Sequence, residues 1–352
     1  MNHKNQTKNT NDIIFGCMRS ASWNIGEEIQ WISQMRFIPK ISMWINREKL
    51  CQYKPKKLLK LIMNGWYINK PNKFVPRDSI KPLLISMYIH RSCYKKFSSN
   101  KIREFLLKNA PVGCRDKSTE KFLNSIGVPA YFSGCLSLTL IPNPKIKKQD
   151  YILAIGLNND ELTILKSRTT RTVIDMERFV PEIYDTKSRF EIAKAFLALY
   201  QSAHCVITNK FHVACPCLAL GTPVLLLNLK KDDLIQDPER FEGITDLFHN
   251  VDSQDFMKNN YNYDFENPPQ NPSKYKKMAD LMVKKVVEFT GFDNQKTQIT
   301  CENPIGVLLK YFTAAYIWNN NYYRTLYYMS NWEICKILFK KIFLGKDKFG
   351  LR

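Results

Sequence analysis

The sequence predicts an α/β protein with two parallel β-sheets, and three observations support this fold class. Short apolar runs typical of buried strands alternate with segments of helical periodicity along most of the chain. A Pro- and Lys-rich stretch at residues 141–150 interrupts the alternation, which then starts again. The 352 residues are enough for two domains of ordinary size. We therefore place one domain at residues 13–145 and a second at residues 150–292.

The first domain begins after a polar leader, residues 1–12, that is predicted to be disordered. Its apolar runs predict strands at residues 13–17, 61–63, 82–89, 112–115 and 130–132. Helices are predicted at residues 27–35, 103–107 and 120–126. We expect Ser118 or Thr119 to cap the third helix and Gly127 to end it. A basic stretch at residues 54–60 is predicted to be a link, and Asn64-Gly65 to form a turn.

The second domain repeats the same alternation. It has predicted strands at residues 151–155 and 172–174, a long helix at 188–201, and a helix at 273–289 that follows a Pro-rich loop. Residues 206–227 predict a complete βαβ unit: an apolar strand, a short polar loop, an apolar helix ended by Gly221, and another apolar strand.

The polar loop of this βαβ unit carries Lys210, and His212 follows in the first helical turn. Both lie where a helix presents its backbone N–H groups and the positive end of its dipole, which favours binding of a phosphate or carboxylate. The pattern alone allows a second interpretation, in which Lys210 and His212 are incidental solvated side chains.

Two stretches carry more specific motifs. Residues 207–224 read Ile-Thr-Asn-Lys-Phe-His-Val-Ala-Cys-Pro-Cys-Leu-Ala-Leu-Gly-Thr-Pro-Val, and residues 110–139 contain Pro-Val-Gly-Cys-Arg-Asp and then Ala-Tyr-Phe-Ser-Gly-Cys-Leu-Ser-Leu-Thr. Both resemble signature regions of the polysaccharide pyruvyl transferases. In that family a Thr-x-Arg-Leu-His element precedes a small apolar helix and a Gly-x-Pro-Val strand. Here Lys210 and Phe211 replace the Arg-Leu pair, and His212 is retained.

Other segments are similar to the same family, in the same order, from residue 13 to about residue 290. Residues 22–30 resemble its Asn-x-Gly-Asp-Glu start, with Glu27 in place of Asp. Residues 64–67 and 82–90 are further matches, and residues 237–248 look like an Arg-Phe-x-Gly-Leu element. Together with the repeated alternation, the resemblance leads us to expect two Rossmann-like domains that face each other across a cleft, a GT-B-like arrangement.

The resemblance implies transfer of the pyruvyl unit of phosphoenolpyruvate to two hydroxyls of a glycan sugar, giving a cyclic ketal and phosphate. It places donor contacts at Arg115, Lys210, Phe211 and His212. Arg115 can grip a carboxylate or phosphate with two parallel hydrogen bonds, whereas Lys210 offers only a point charge. We expect His212 to be the general acid, with anion binding or helix capping as the alternative. Arg240 is a further candidate for phosphate or interdomain contact, or else part of a surface ion pair.

Acceptor contacts are expected at the carboxyl ends of the first domain's strands, where open α/β sheets bind ligands. The candidates are Asn24, Gly26, Glu27, His90 and Asp116. Asp116 is also expected to orient Arg115 by ion pairing, and a core position is the alternative for His90. Phosphoenolpyruvate is a substrate, so no cofactor is expected, and the sequence has no acidic or His cluster that predicts a metal site.

The charge is strongly basic, with 53 Lys and Arg against 32 Asp and Glu, a net +21. This balance favours acidic glycans, anionic membranes or nucleic acid, but the lysines are scattered, so no nucleic-acid partner is expected. Two rival functions stay open: a glycosyltransferase that uses a nucleotide sugar, and a non-catalytic glycan- or nucleic-acid-binding protein. The absence of Gly-x-Gly-x-x-Gly after the first strand argues against a dinucleotide enzyme.

The cysteines and the ends of the chain indicate location. Ten cysteines occur without a Cys-x-x-Cys pair, and neither a signal peptide nor an apolar run of spanning length is present, so a soluble cytoplasmic protein is predicted. Residues 300–352 form an aromatic, basic region that is predicted to be helical. They are expected to pack on the catalytic domains or a protein partner, or to lie on a membrane surface.

Overall fold

The computed structural model describes residues 13–19, 24–67, 70–176, 184–228 and 241–319, with side chains described up to residue 311. These residues form two parallel sheets, which confirms the predicted α/β class.

The first sheet has six strands in the order β2-β1-β3-β4-β5-β6. They are β1 (Ile13–Arg19), β2 (Ile41–Asn46), β3 (Leu58–Tyr67), β4 (Ile80–Ile89), β5 (Val112–Cys114) and β6 (Ala130–Phe132). All neighbouring pairs are parallel. The helices of this half are α1 (Gly26–Met35), α2 (Tyr94–Phe97), α3 (Asn100–Lys108) and α4 (Lys117–Ser125).

The second sheet has five parallel strands in the order β11-β10-β9-β7-β8. They are β7 (Tyr151–Ile155), β8 (Thr172–Asp175), β9 (Cys205–Thr208), β10 (Val224–Asn228) and β11 (His249–Asp252). The helices are α5 (Asn159–Ser167), α6 (Thr186–Ser202), α7 (Phe211–Leu220), α8 (Ser253–Met257), α9 (Tyr275–Thr290) and α10 (Pro304–Asn319). The predicted βαβ unit is confirmed as β9-α7-β10, and Gly221 ends α7 with a φ of +70° that favours glycine.

The two halves share a continuous apolar core that runs from the first sheet through α1 and α6 to α7. A buried ion pair crosses this contact: Arg189 Nε of α6 donates to Glu28 Oε1 of α1 at 2.7 Å. Burial raises the pKa of Glu28 to about 7, although the hydrogen bond and charge of Arg189 oppose the shift. The core therefore encloses a carboxyl group that titrates near neutral pH.

The structure corrects three local predictions. Asn64 and Gly65 lie inside β3, not in a turn, because the buried Asn64 Nδ2 donates to Gln30 O of α1 (3.2 Å). Gly65 adopts a φ of +124°, and the register between β3 and β4 shifts here, with the extra residue in β4. The predicted basic link is shorter, since β3 already begins at Leu58. The N-cap of α4 is Asp116, whose Oδ1 accepts the backbone N–H of Thr119 at 2.8 Å, so neither Ser118 nor Thr119 is the cap.

The C-terminal region begins with α10, which packs on α6. There Tyr311 Oη donates to Glu191 Oε2 at 2.6 Å. Residues 320–352 and the predicted leader at residues 1–12 lie outside the described residues. Within the described part of the chain, no helix has the length and apolar character needed to cross a membrane.

Candidate active site

The predicted site residues follow the carboxyl ends of strands in both sheets. The strand order reverses between β1 and β3 in the first sheet and between β9 and β7 in the second. In open parallel sheets, ligands bind outside the carboxyl ends of the strands at such switch points. The predicted residues that follow strands are Asn24 and Gly26 after β1, His90 after β4, Arg115 and Asp116 after β5, and Lys210, Phe211 and His212 after β9. Of these strands, β1 and β9 border a switch point.

Arg115 is buried between two aromatic rings. Its guanidinium carbon lies 4.5 Å from the ring centre of Tyr88 and 5.3 Å from that of Phe211, so one ring comes from each half of the chain. Only 4% of the residue is exposed, and its buried Nε has no hydrogen-bond partner among the described residues. A buried cation with an unsatisfied donor is suited to bind an anion.

Asp116 is fully buried, and among the described residues neither its Oδ2 nor the Nε of Arg115 has a hydrogen-bond partner, so the predicted direct ion pair is not formed through these atoms. Its Oδ1 accepts both the Thr119 N–H and Ser118 Oγ (2.7 Å), which caps α4. Burial raises the pKa of Asp116, although the charge of Arg115 lowers it in part. Asp116 therefore fixes the start of α4 immediately after Arg115 in the chain.

His212 lies against the beginning of α1. The residue is 8% exposed, and its φ of −81° and ψ of 15° depart from helical values in the first turn of α7. A Cβ atom added to Gly26 would lie 2.8 Å from both Cβ and Nδ1 of His212, closer than real side chains approach. The Gly26 N–H in turn donates to Asn24 Oδ1 at 3.0 Å. Three predicted site residues from two distant motifs are thus brought together.

The side chain of Lys210 packs against Gly156, which was not among the predicted site residues. A Cβ atom on Gly156, which follows β7, would lie 2.7 Å from Lys210 Cε, and the φ of Gly156 is +78°. The backbone N–H of Lys210 donates to Thr208 Oγ1 at 2.9 Å, which fixes the start of the loop. A glycine directly after an apolar parallel strand is the signal that would have identified this position.

Cys135 is a second residue that the sequence does not mark, because a free cysteine next to apolar residues is typical of a small core side chain. It is fully buried, accepts a hydrogen bond from Ser137 Oγ at 3.1 Å, and is hydrogen-bonded to Cys215 and His212. Burial raises the pKa of the Cys135 thiol, but these hydrogen bonds and the charge of the imidazole outweigh it and hold the pKa well below its ordinary value. Cys135, which follows β6 in the first half of the chain, therefore contacts His212 in the second half.

Glu27 and His90 are the other predicted site residues that the structure describes. Glu27 is buried and receives a hydrogen bond from Arg47 Nη1 at 2.6 Å. His90 is half-buried and caps a short 3₁₀ turn, since its Nδ1 accepts the N–H of Ser92. Arg240 lies outside the described residues, but the adjacent Phe241 packs on Phe211 with ring centres 6.1 Å apart. In the described part of the chain, no three His, Cys, Asp or Glu side chains are grouped so that they could hold a metal.

Comparison with known proteins gives a family match. A sequence model of the polysaccharide pyruvyl transferase family matches residues 24–231, which is more than half of the chain and includes every predicted site residue except Arg240. No curated protein sequence matches significantly.

Several solved structures are similar to this chain. One is a functionally uncharacterized protein of Klebsiella pneumoniae, with 14% identity, 65% of this chain and 86% of that chain covered, and a TM-score of 0.42. Another is the UDP-GlcNAc 2-epimerase of Methanocaldococcus jannaschii in complex with UDP-GlcNAc and UDP. The identity is 12%, the match covers 78% of this chain and 99% of that chain, and the TM-score is 0.35. A third is the wall teichoic acid polymerase TagF. The identity is 11%, the match covers 87% of this chain and 88% of that chain, and the TM-score is 0.35.

Proposed function

Because the chain belongs to the polysaccharide pyruvyl transferase family, we propose that it transfers the pyruvyl group of phosphoenolpyruvate to two hydroxyls of a glycan sugar, with release of phosphate. The observation that carries the proposal is the buried guanidinium of Arg115, held between Tyr88 and Phe211 with its Nε unsatisfied by described residues. An anionic donor supplies what this cation lacks.

Donor binding combines three kinds of positive potential. Arg115 takes the carboxylate or phosphate in a paired, largely desolvated hydrogen-bond arrangement, because the two rings hold its planar group in place. Lys210 adds a point charge at the end of the second sheet, and the beginning of α7 adds its helix dipole. Phe211 closes the second face of Arg115 and so couples the donor site to α7.

His212 is the proposed general acid. It protonates C3 of the enol, C2 acquires oxocarbenium character, and one sugar hydroxyl adds to C2. The imidazole takes up the proton of this first hydroxyl, which restores the acid. A second hydroxyl then displaces the phosphate from C2, and its proton leaves with the phosphate. Two C–O bonds form and one C–O bond breaks, which gives the ketal and inorganic phosphate. Cys135, hydrogen-bonded to the imidazole, holds the ring in position.

We further propose the domain arrangement that this chemistry needs. Residues 13–145 and 150–292 form two Rossmann-like domains facing across a GT-B-like cleft, with acceptor contacts at Asn24, Gly26, Glu27, His90 and Asp116. The contacts of Arg115 with Phe211 and of Gly26 with His212 support it. The segment 300–352 is proposed to contact a protein or membrane surface, and its first helix, α10, packs on α6.

The proposal is tested by incubating the protein with phosphoenolpyruvate and with galactosyl-, mannosyl- and glucosaminyl-terminated acceptors. We expect phosphate release and an acceptor that gains the mass of a pyruvyl ketal. His212→Ala should reduce the rate about 10²- to 10⁴-fold. His204→Ala should not, since His204 is a half-buried histidine at the amino end of β9, opposite to the site, and is bonded to Glu266 O.

Two outcomes would overturn the proposal. Consumption of a nucleotide sugar instead of phosphoenolpyruvate would identify a glycosyltransferase. Strongly salt-dependent nucleic-acid binding without any phosphate release would identify a binding protein.

A further inference from the structure

A row of neighbouring side chains, Trp66, Tyr88 and Arg115, crosses the carboxyl end of the first sheet. In the parallel register Trp66 of β3 pairs with Tyr88 of β4, and the N–H of Arg115 donates to Met87 O at 2.8 Å, which places Arg115 beside Tyr88. The Trp66 and Tyr88 ring centres are 6.1 Å apart, and the Arg115 guanidinium lies 4.5 Å from the Tyr88 ring. All three side chains therefore project from the same face of adjacent strands.

Trp66 differs from the other members of this row in its exposure. Tyr88 and Arg115 are buried, whereas Trp66 is half-buried at the end of a central strand. Its neighbour Tyr67 points to the opposite face and packs on Phe74 in the core. Core packing therefore accounts for Tyr67 but leaves part of the large Trp66 ring at the edge where the site lies.

We propose that Trp66 is the platform on which the pyranose ring of the acceptor stacks, an inference that rests on the proposed function. The C–H groups of a sugar face carry partial positive charge and pack on the negative π face of an indole. A binding site for a small ligand commonly combines such an apolar surface with a few polar groups. His90 supplies the polar edge here, with its ring centre 6.4 Å from that of Trp66.

The spacing of the row fits this assignment. Trp66 and Arg115 lie two strands apart, which is about 10 Å at the usual spacing of strands in a sheet. A sugar stacked on Trp66 therefore has its outer hydroxyls next to a donor whose anionic group is held by Arg115. Tyr88 lies between them and separates the two binding surfaces.

The test compares Trp66→Leu, which removes the flat ring but keeps an apolar side chain, with Trp66→Phe, which keeps a flat ring. Acceptor KM should rise at least tenfold in Trp66→Leu and less than about threefold in Trp66→Phe, with phosphoenolpyruvate binding by calorimetry unchanged in both. Trp44→Leu is the matched control, because Trp44 is also half-buried in the first sheet but packs on Phe190 away from the row.

Saccharide binding separates failure of this inference from failure of the proposed function. Saturation-transfer NMR with lactose, methyl α-mannoside and chitobiose needs no turnover, so it applies even if wild-type protein consumes no phosphoenolpyruvate. The platform is supported if a saccharide that binds wild type is lost in Trp66→Leu and retained in Trp66→Phe. It is overturned if Trp66→Leu binds that saccharide as wild type does, if no saccharide binds, or if Trp66→Leu weakens phosphoenolpyruvate binding to the same extent.

Discussion

At the scale of single residues, two glycines without side chains are as important to the site as the charged residues beside them. Gly26 leaves room for the imidazole of His212, and Gly156 leaves room for the side chain of Lys210. Gly26 begins α1 in the first half of the chain, and Gly156 directly follows β7 in the second. The positions of His212 and Lys210 therefore depend on the close approach of the backbone at Gly26 and Gly156.

Gly26→Ala tests this dependence. Alanine is favoured over glycine in a helix, so the backbone of α1 should tolerate the change. The new methyl group would nevertheless lie 2.8 Å from Cβ and Nδ1 of His212 and must displace the ring. We expect the transfer rate to fall about 100-fold, the effect of a misplacement of about 1 Å, together with a lower melting temperature.

The double variant Gly26→Ala/His212→Gly provides the control for this prediction. It should recover the melting temperature of His212→Gly, because both atoms that clash, Cβ and Nδ1 of His212, are gone. Wild-type turnover in Gly26→Ala would show that His212 does not need its present position.

At the scale of elements, the sequence predicted most strands but misjudged positions where tertiary contacts override a local signal. Asn64-Gly65 is a typical turn pair, yet hydrogen bonding to α1 keeps Asn64 inside β3. Strand β2 was not predicted because its residues are mostly half-buried and show no clear alternation. Asp116 was assigned to the site because it follows Arg115, and its role as a cap depends on the backbone geometry of α4.

Substitutions of Asp116 separate capping from catalysis. Asparagine retains the acceptor oxygen of the cap, so Asp116→Asn should keep the stability of the wild type and most of its turnover. Asp116→Ala removes the acceptor for two hydrogen bonds and should cost about 1–2 kcal/mol in the free energy of unfolding, measured by denaturant titration. Loss of turnover in Asp116→Asn at unchanged stability would instead assign the carboxylate to the chemistry.

At the scale of the whole molecule, the assembly of the site follows from contacts between the halves that no local pattern contains. The motifs around Arg115 and His212 were recognised in the sequence, but the order and register of the strands decide that Phe211 covers Arg115 and that His212 meets Gly26. The same holds for Trp66, whose place beside Tyr88 appears only when β3 and β4 are aligned. Residue types were therefore predictable, and their proximity was not.

The buried pair Glu28–Arg189 makes this contact between the halves sensitive to pH. Burial raises the pKa of Glu28 to about 7 from an ordinary value of 4.5, so between these values the folded chain holds a proton that the unfolded chain has lost. The stability contributed by Glu28 is complete below pH 4.5 and is lost as pH rises through 7, at about 1.4 kcal/mol per pH unit.

Glu28→Gln carries no such proton, so its free energy of unfolding relative to wild type should increase by about 2 to 3 kcal/mol from pH 5 to pH 8. Urea titrations at several pH values measure the difference, with Glu104→Gln on the exposed face of α3 as the matched control. A constant difference across that range would mean that Glu28 stays ionised in the fold and that Arg189 fully compensates its burial.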